Sequence, residues 1–358
     1  MRIRVLVLVV LACLAAAPPA HAQMKQFRDW IAACDNTRRC TAHGIVSIWS
    51  HGYLKITRDG APEAKPVVTL AVYVGDKKNF TLSFDRPVAG SFLPSGTFGP
   101  DRIEDDEHTR FVLEVSDQDL VAAFRKAKRI IITPTHEPEM WSYATLEGAI
   151  DALAWIDRQQ KRAGTVTAMV ARGAKQASTI PAPPAAPTIA AARFDPSPVP
   201  PGFPPIVVDK GHTICGKAGR DAESGSEPRE VHRLGPDLLL YWFFCPSDGG
   251  VYNHSNPLLL VPEGDPGRAR VAALKNPPLV AQARKRRNEP PINVGFDRAT
   301  MTLSVFHQGR SAGDCGDVSE WVWVGKEFRL AHFSRMPVCA GVAISDWPIL
   351  YRATPMRN

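Results

Sequence analysis

Ten prolines fall between Ala174 and Pro205, among them the pairs Pro183-Pro184, Pro200-Pro201 and Pro204-Pro205, interspersed with alanines. Proline lacks an amide hydrogen and fixes φ, so such a stretch is a poor ladder former and favours extended polyproline conformations. It reads as a semi-rigid spacer over 174–205, which leaves 23–173 on one side and 206–358 on the other. A chain of 358 residues also exceeds what one hydrophobic core usually organises, so two domains are expected.

The first 22 residues belong to neither. Arg2 and Arg4 precede an apolar run from Val5 to Ala17, Pro18 and Pro19 end it, and Ala20-His21-Ala22 supplies small residues where a signal peptidase reads. This pattern predicts a signal peptide cleaved after Ala22 and a periplasmic or secreted protein. The run falls short of the roughly 20 residues of a membrane-spanning helix, and no later window offers one, so no transmembrane segment is expected in the mature chain. Cys13, after Val10-Leu11-Ala12, loosely resembles a lipoprotein box, but Leu11 is too bulky for its position.

Removing Cys13 leaves six cysteines: Cys34, Cys40, Cys215, Cys245, Cys315 and Cys339. An even number in an oxidising compartment suits three disulfides. The proline-rich stretch isolates Cys34 and Cys40, which pairs them; for the other four, sequential pairing as Cys215-Cys245 and Cys315-Cys339 closes the shorter loops, the alternatives staying open. There is no Cys-x-x-Cys pair and no zinc spacing, so neither a metal nor a cofactor is expected.

The mature chain carries 41 basic and 36 acidic side chains, spread so that neither half is strongly basic. One run stands out, Arg284-Lys285-Arg286-Arg287, with Arg268, Arg270 and Lys275 upstream. It is a candidate contact for a polyanion such as lipopolysaccharide, against the plainer reading of a solvated loop. No aromatic residues interleave with the cations to stack on bases, so nucleic acid is disfavoured. Asp101, Glu104, Asp105, Asp106, Glu107 and His108 lack the spacing of a calcium loop and read as a solvated segment.

The fold class expected is mainly β with some α: an N-terminal strand-rich domain with two helices and a C-terminal antiparallel β domain, each stapled by disulfide. Ile45 to Thr57, Val67 to Val74 and Asn79 to Phe84 are rich in β-branched and aromatic residues between turn formers. Ser116 and Asp119 form a capping box for a helix placing Leu120, Ala123, Phe124 and Ala127 on one face. A second helix, from about Thr145 to Gln160, turns Leu146, Ile150, Leu153 and Ile156 inward. After the spacer, strands are predicted at Ile206–Asp209, Asp237–Cys245, Leu258–Val261, Ile292–Phe296, Thr302–His307, Glu320–Val324 and Glu327–Phe333. Alternation puts Trp321 and Trp323 on the same face, either in the core or in an aromatic groove for sugar chains.

Several blocks together carry a resemblance. Phe27-Arg28-Asp29-Trp30-Ile31-Ala32-Ala33-Cys34-Asp35-Asn36, Trp155-Ile156-Asp157-Arg158-Gln159-Gln160, Gly164-Thr165-Val166-Thr167-Ala168, Gly313-Asp314-Cys315-Gly316 and Met336-Pro337-Val338-Cys339 resemble the signature of the bacterial domain-of-unknown-function 1176 family. The likeness covers nearly all of the mature chain. The first domain is also similar in layout to the invasion-associated locus B family, which implies an envelope or host-facing role. Neither resemblance supplies catalytic residues.

Chemistry is sparse. Gly211 to Ala218 nearly spells a phosphate-binding loop, but Ala218 stands where a magnesium-holding hydroxyl is needed. His136-Glu137-Pro138-Glu139 starts like a zinc helix and is broken by its proline. No Gly-x-Ser-x-Gly, His-Glu-x-x-His or Ser-x-x-Lys occurs in the mature chain. The catalytic candidates that remain are Asp314, Asp317 and His307, against a structural reading of Gly313 to Asp317 as a tight turn around a disulfide. Asp248, Tyr252 and His254 form a weaker set. The expected function is therefore binding, of an envelope polymer or a protein partner, ahead of a hydrolase using Asp314, Asp317 and His307 or an inhibitor presenting the loop from Gly309 to Gly316. Oligomeric state leaves no trace in the sequence.

Overall fold

The computed structural model describes residues 23–45, 52–73, 79–94, 108–136, 138–218, 227–245, 252–277, 280 and 290–356. The signal peptide, the acidic stretch 101–107, Asp248 and the run Arg284 to Arg287 lie outside the described residues.

The N-terminal half begins with an antiparallel six-stranded sheet: β1 (Gln23–Phe27), β2 (Trp30–Cys34), β3 (Cys40–Gly44), β4 (Gly52–Arg58), β5 (Val67–Tyr73) and, across a gap in the chain order, β7 (His108–Val112). β6 (Phe80–Phe84), β8 (Arg129–Pro134) and β9 (Ser142–Thr145) form a second sheet in the order β6-β8-β9. α1 (Asp117–Lys126) and α2 (Ala149–Gln159) complete a core that gathers Trp30, Leu54, Phe80, Leu120, Phe124, Leu153 and Ile156.

The helices start where local chemistry dictates. Ser116 Oγ accepts the Asp119 amide hydrogen at 3.1 Å and donates to Asp119 Oδ2 at 2.6 Å, satisfying a donor that the first turn of α1 leaves open. Ser116→Ala is expected to cost about 1 kcal/mol, read as a lower urea midpoint at unchanged slope. α2 begins four residues later than its apolar pattern suggests. Thr145 belongs to β9, and Gly148 turns the chain at φ +103°, its α-carbon so close to the Phe27 carbonyl that a β-carbon would lie 1.9 Å from that oxygen.

In the C-terminal half, β11 (Glu227–Gly235), β12 (Leu238–Phe244), β13 (Leu258–Pro262) and β14 (Arg270–Val271) make one sheet. β15 (Leu274–Lys275), β19 (Phe328–Met336), β18 (Gly316–Trp323), β17 (Thr302–Gln308) and β16 (Val294–Asp297) make another, with β20 (Ile349–Arg352) also paired to β19. Leu240, Leu258 and Leu260 from the first meet Leu303, Trp321 and Phe333 from the second in a shared core. Trp321 and Trp323 are fully buried, their indole N–H groups donating to Asn276 Oδ1 and the Leu234 carbonyl, both at 3.1 Å. They are core, and the aromatic-groove alternative falls.

The strand predicted at Ile206–Asp209 is also corrected. Pro205–Ala218 is a helix, α3, because Pro205 occupies its first turn, where a missing N–H costs nothing. Its stripe Val207, Gly211 and Cys215 lies over the outer face of β12, where Val207 packs with Leu239, Tyr241 and Phe243. A β-carbon on Gly211 would come within 2.3 Å of the Phe243 ring, so glycine is what lets the helix approach. β12 is thus covered on both faces, which explains its unbroken apolar run from Leu238 to Phe244. The spacer does pair over three residues: β10 (Thr188–Ala190) runs parallel to β21 (Thr354–Met356), burying Ile189 against Val322 and Ala331.

Disulfides join Cys34 to Cys40, Cys215 to Cys245 and Cys315 to Cys339, the sequential pairing. The second clamps α3 to the end of β12, and the third links the start of β18 to the segment after β19. The two halves meet through a further apolar cluster, with Ile31, Ile45 and Tyr53 packed on Cys315, Met336, Val342 and Trp347.

Candidate functional site

Alternation along three neighbouring strands builds the most site-like feature among the described residues. On β17, Leu303 and Val305 point into the sandwich, so His307 does too; on β18, Trp321 and Ser319 are followed on the same face by Asp317. Register places His307 opposite Asp317 and Asp317 opposite Arg335 of β19. Two apolar layers of the core thus end in one polar rung. His307 Nδ1 lies 3.6 Å from Asp317 Oδ2, with the two side chains 28% and 22% exposed, close enough for an ion pair when the ring is protonated.

This rung borders a cavity of about 790 Å³. Leu258, Val305, Phe333 and Ile292 line it from the sandwich, Lys275 and Asn276 from the end of β15, and the Cys315–Cys339 disulfide closes one wall. Apolar side chains dominate, and the described lining residues include no serine, threonine or tyrosine.

Asp314 stands apart from this pair. Its carboxylate accepts from Arg310 Nε at 2.6 Å and Nη2 at 2.5 Å, and from the Gly341 amide at 2.6 Å. Burial opposes its ionisation, but the Arg310 hydrogen bonds and the Gly341 amide outweigh that and hold its pKa below the usual carboxylate range. The residue ties the 310–314 turn to the chain beyond the disulfide. Its carboxylate also lies close to Cys315 and Cys339, but both sulfurs are consumed in the disulfide, so no thiolate is present to join it on a metal. Of the weaker set, His254 packs its ring on Phe244 at 4.7 Å and the Tyr252 carbonyl accepts from Asn293.

The model of the family described as Protein of unknown function (DUF1176) matches residues 24–354. The chain belongs to this family. A relative, Uncharacterized protein YpfG of Escherichia coli (strain K12), is 25% identical over 362 residues, covering 98% of this chain and 99% of that protein. No solved structure matches.

The DUF1176 match spans residues whose motif character has a structural cause. Asp157 is fully buried in α2 and accepts the amide hydrogens of Met169, Val170 and Ala171 at 2.8 to 3.1 Å. Gln160 donates to the carbonyls of Arg38, Arg58 and Asp59. Arg162, also fully buried, donates to the carbonyls of Asp59, Ala61 and Pro62 and to Thr167 Oγ1, and burial brings its pKa down to about 10. The blocks from Trp155 to Gln160 and from Gly164 to Ala168 are therefore a polar pin that shapes two loops. Their residues are structural.

A second polar centre has no signature in the sequence. Asp346, in the segment between β19 and β20, accepts from Lys55 Nζ at 2.5 Å and Tyr53 Oη at 2.6 Å, and from Arg110 Nε and Nη2 at 3.2 Å. His43 of β3 is buried beside Tyr53, ring centroids 6.3 Å apart. The cluster bridges the two halves across nearly 300 residues of sequence, and no spacing rule could have assembled it.

Proposed function

We propose that this protein is an exported binding protein, periplasmic or secreted, that acts on a component of the cell envelope, a polymer or a protein partner, and takes hold of it at the cavity beside His307, Asp317 and Arg335. The observation that carries this reading is the lining: apolar walls, one convergent polar rung, and no hydroxyl or free thiol among the described lining residues. Ligand sites have this make-up, whereas acyl transfer through a covalent intermediate needs a nucleophile beside its base. Export is supported by three disulfides, which persist in oxidising compartments. Among the described residues, no helix is long and apolar enough to cross a membrane.

The test is affinity capture from envelope extracts with the oxidised protein and with Ala273→Trp, which fills the cavity from its wall. The variant is expected to lose components that the unaltered protein retains, at unchanged circular dichroism and melting temperature. Identical retention by both proteins overturns the reading.

A hydrolytic reading is second, favoured by the 3.6 Å approach of His307 Nδ1 to Asp317 Oδ2. In it the imidazole activates a water and Asp317 orients the ring. Asp314, engaged by Arg310, takes no part. Turnover of an envelope ester or glycan that disappears in His307→Ala with the fold intact would put this reading first.

A further inference from the structure

The geometry points to a second binding surface, separate from the cavity: the outer face of the β6-β8-β9 sheet takes an uncharged glycan chain, stacked on Trp141 and Tyr143. The described cavity lining comes from the C-terminal half, so this surface goes beyond the binding reading above and does not rest on it.

Strand alternation builds the face. Ile130, Ile132 and Ala144 are buried in the N-terminal core, so Arg129, Ile131, Thr133 and Tyr143 between and beside them point outward. Trp141, just before β9, joins them, its ring centroid 6.3 Å from that of Tyr143 and the two planes tilted by 37°. It is 49% exposed, whereas every other described tryptophan is buried or half-buried. A lone apolar side chain in water needs no explanation, but this one is half of an ordered pair. Arg129 holds the other half, its guanidinium lying over the Tyr143 ring at 4.4 Å.

Stacking chooses the ligand. A pyranose ring presents C–H groups on its faces, which pack on aromatic rings, and hydroxyls at its edge, which seek hydrogen bonds. This face supplies both. The two tilted rings form a shallow trough that suits a twisting chain, and Ser83 lies across Ile131 from Tyr143 in register, with Thr81 opposite Thr133 in the next row. Thr81 and Ser83 are exposed and Thr133 is half-exposed, and none of the three hydroxyls has a hydrogen-bond partner among the described residues. Charge disfavours the other occupants. Asp85 accepts the amide hydrogens of Lys128 and Arg129 at 3.0 and 3.3 Å, and Lys128 pairs with Glu147 at 3.2 Å, so no basic field forms here to draw a polyanion or an anionic lipid surface.

The oxidised protein is titrated by calorimetry with chitohexaose and with maltohexaose, and sedimented with phosphatidylglycerol vesicles. At least one hexasaccharide is expected to bind with a micromolar to millimolar Kd, Trp141→Ala to weaken it roughly tenfold, and Trp141→Phe, which keeps an aromatic face, to recover most of that loss. Because Trp141 is exposed, both variants are expected to keep the melting temperature of the unaltered protein. Absence of binding to both sugars overturns the inference, and so does equal affinity in Trp141→Ala. Vesicle binding that Trp141→Ala abolishes while neither sugar binds overturns it in favour of a membrane contact. None of these outcomes bears on the cavity, whose lining the Trp141 variants leave untouched.

Discussion

Asp346→Ala is expected to destabilise the protein by about 3 kcal/mol, read as a fall in urea midpoint against the unaltered protein. The carboxylate is 9% exposed and satisfies three donor residues on two strands of the N-terminal half, Tyr53 and Lys55 of β4 and Arg110 of β7. Removing it leaves two cations facing each other in a partly desolvated space. Breaking a buried pair typically costs about 3–5 kcal/mol, and the lower end applies because Lys55 and Arg110 remain 24% and 15% exposed and recover some hydration. Tyr53→Phe, which removes one neutral donor, is expected to cost about 1 kcal/mol. An Asp346→Ala loss no greater than that of Tyr53→Phe would show that the charges contribute nothing to joining the halves.

Acidification is expected to weaken the fold well before the carboxylates titrate. Burial, reinforced by nearby Lys55, brings the His43 pKa down to about 4, against about 6.5 for an exposed imidazole. Between those values the unfolded chain binds a proton at this position and the folded chain does not, so stability falls as pH drops from about 6.5 to about 4. The size is about 3 kcal/mol for His43 by itself. Burial also lowers the pKa of His232 and His332, adding in the same direction. Asp346 acts further down. Burial works against its ionisation, but Lys55, Tyr53 and Arg110 prevail and depress its pKa to about 2, so its contribution is complete above about pH 4 and is lost as pH falls toward 2. His43→Leu is expected to flatten the upper part of the stability profile and leave the lower part in place. An unchanged slope between pH 6.5 and 4 in that variant would exclude His43 as the cause.

Much of the local structure could be read from residue order. Ser116 followed by Asp119 marks the start of α1, and the spacing of Leu120, Ala123 and Phe124 marks its buried face, because capping and 3.6-residue periodicity act within a single turn. The sequential cysteine pairing favoured by residue order, because shorter loops cost less entropy to close, is the one found, although order by itself left the pairing of the last four cysteines open. Where local signals conflict, residue order misleads. Ile206-Val207-Val208 is strand-like in composition, but Pro204-Pro205 starts a helix there and the apolar face of β12 gives that helix somewhere to lie.

The candidate site divides along the same line. His307 and Asp317 are visible as chemistry-bearing residues, and the alternation of their strands shows that each points inward. Nothing in residue order ties Arg335 to them, because the register between strands, and the cavity it borders, arise only when the strands pair and the sheets stack. The Asp346 cluster is the extreme case: its members lie at 43, 53, 55, 110 and 346, and nothing near any one of them refers to the others. Residue order by itself determined what depends on neighbours in the chain: strand and helix tendencies and caps. Tertiary structure alone decided which charges share a buried space, because burial and Coulomb interaction depend on distance in three dimensions, which packing sets.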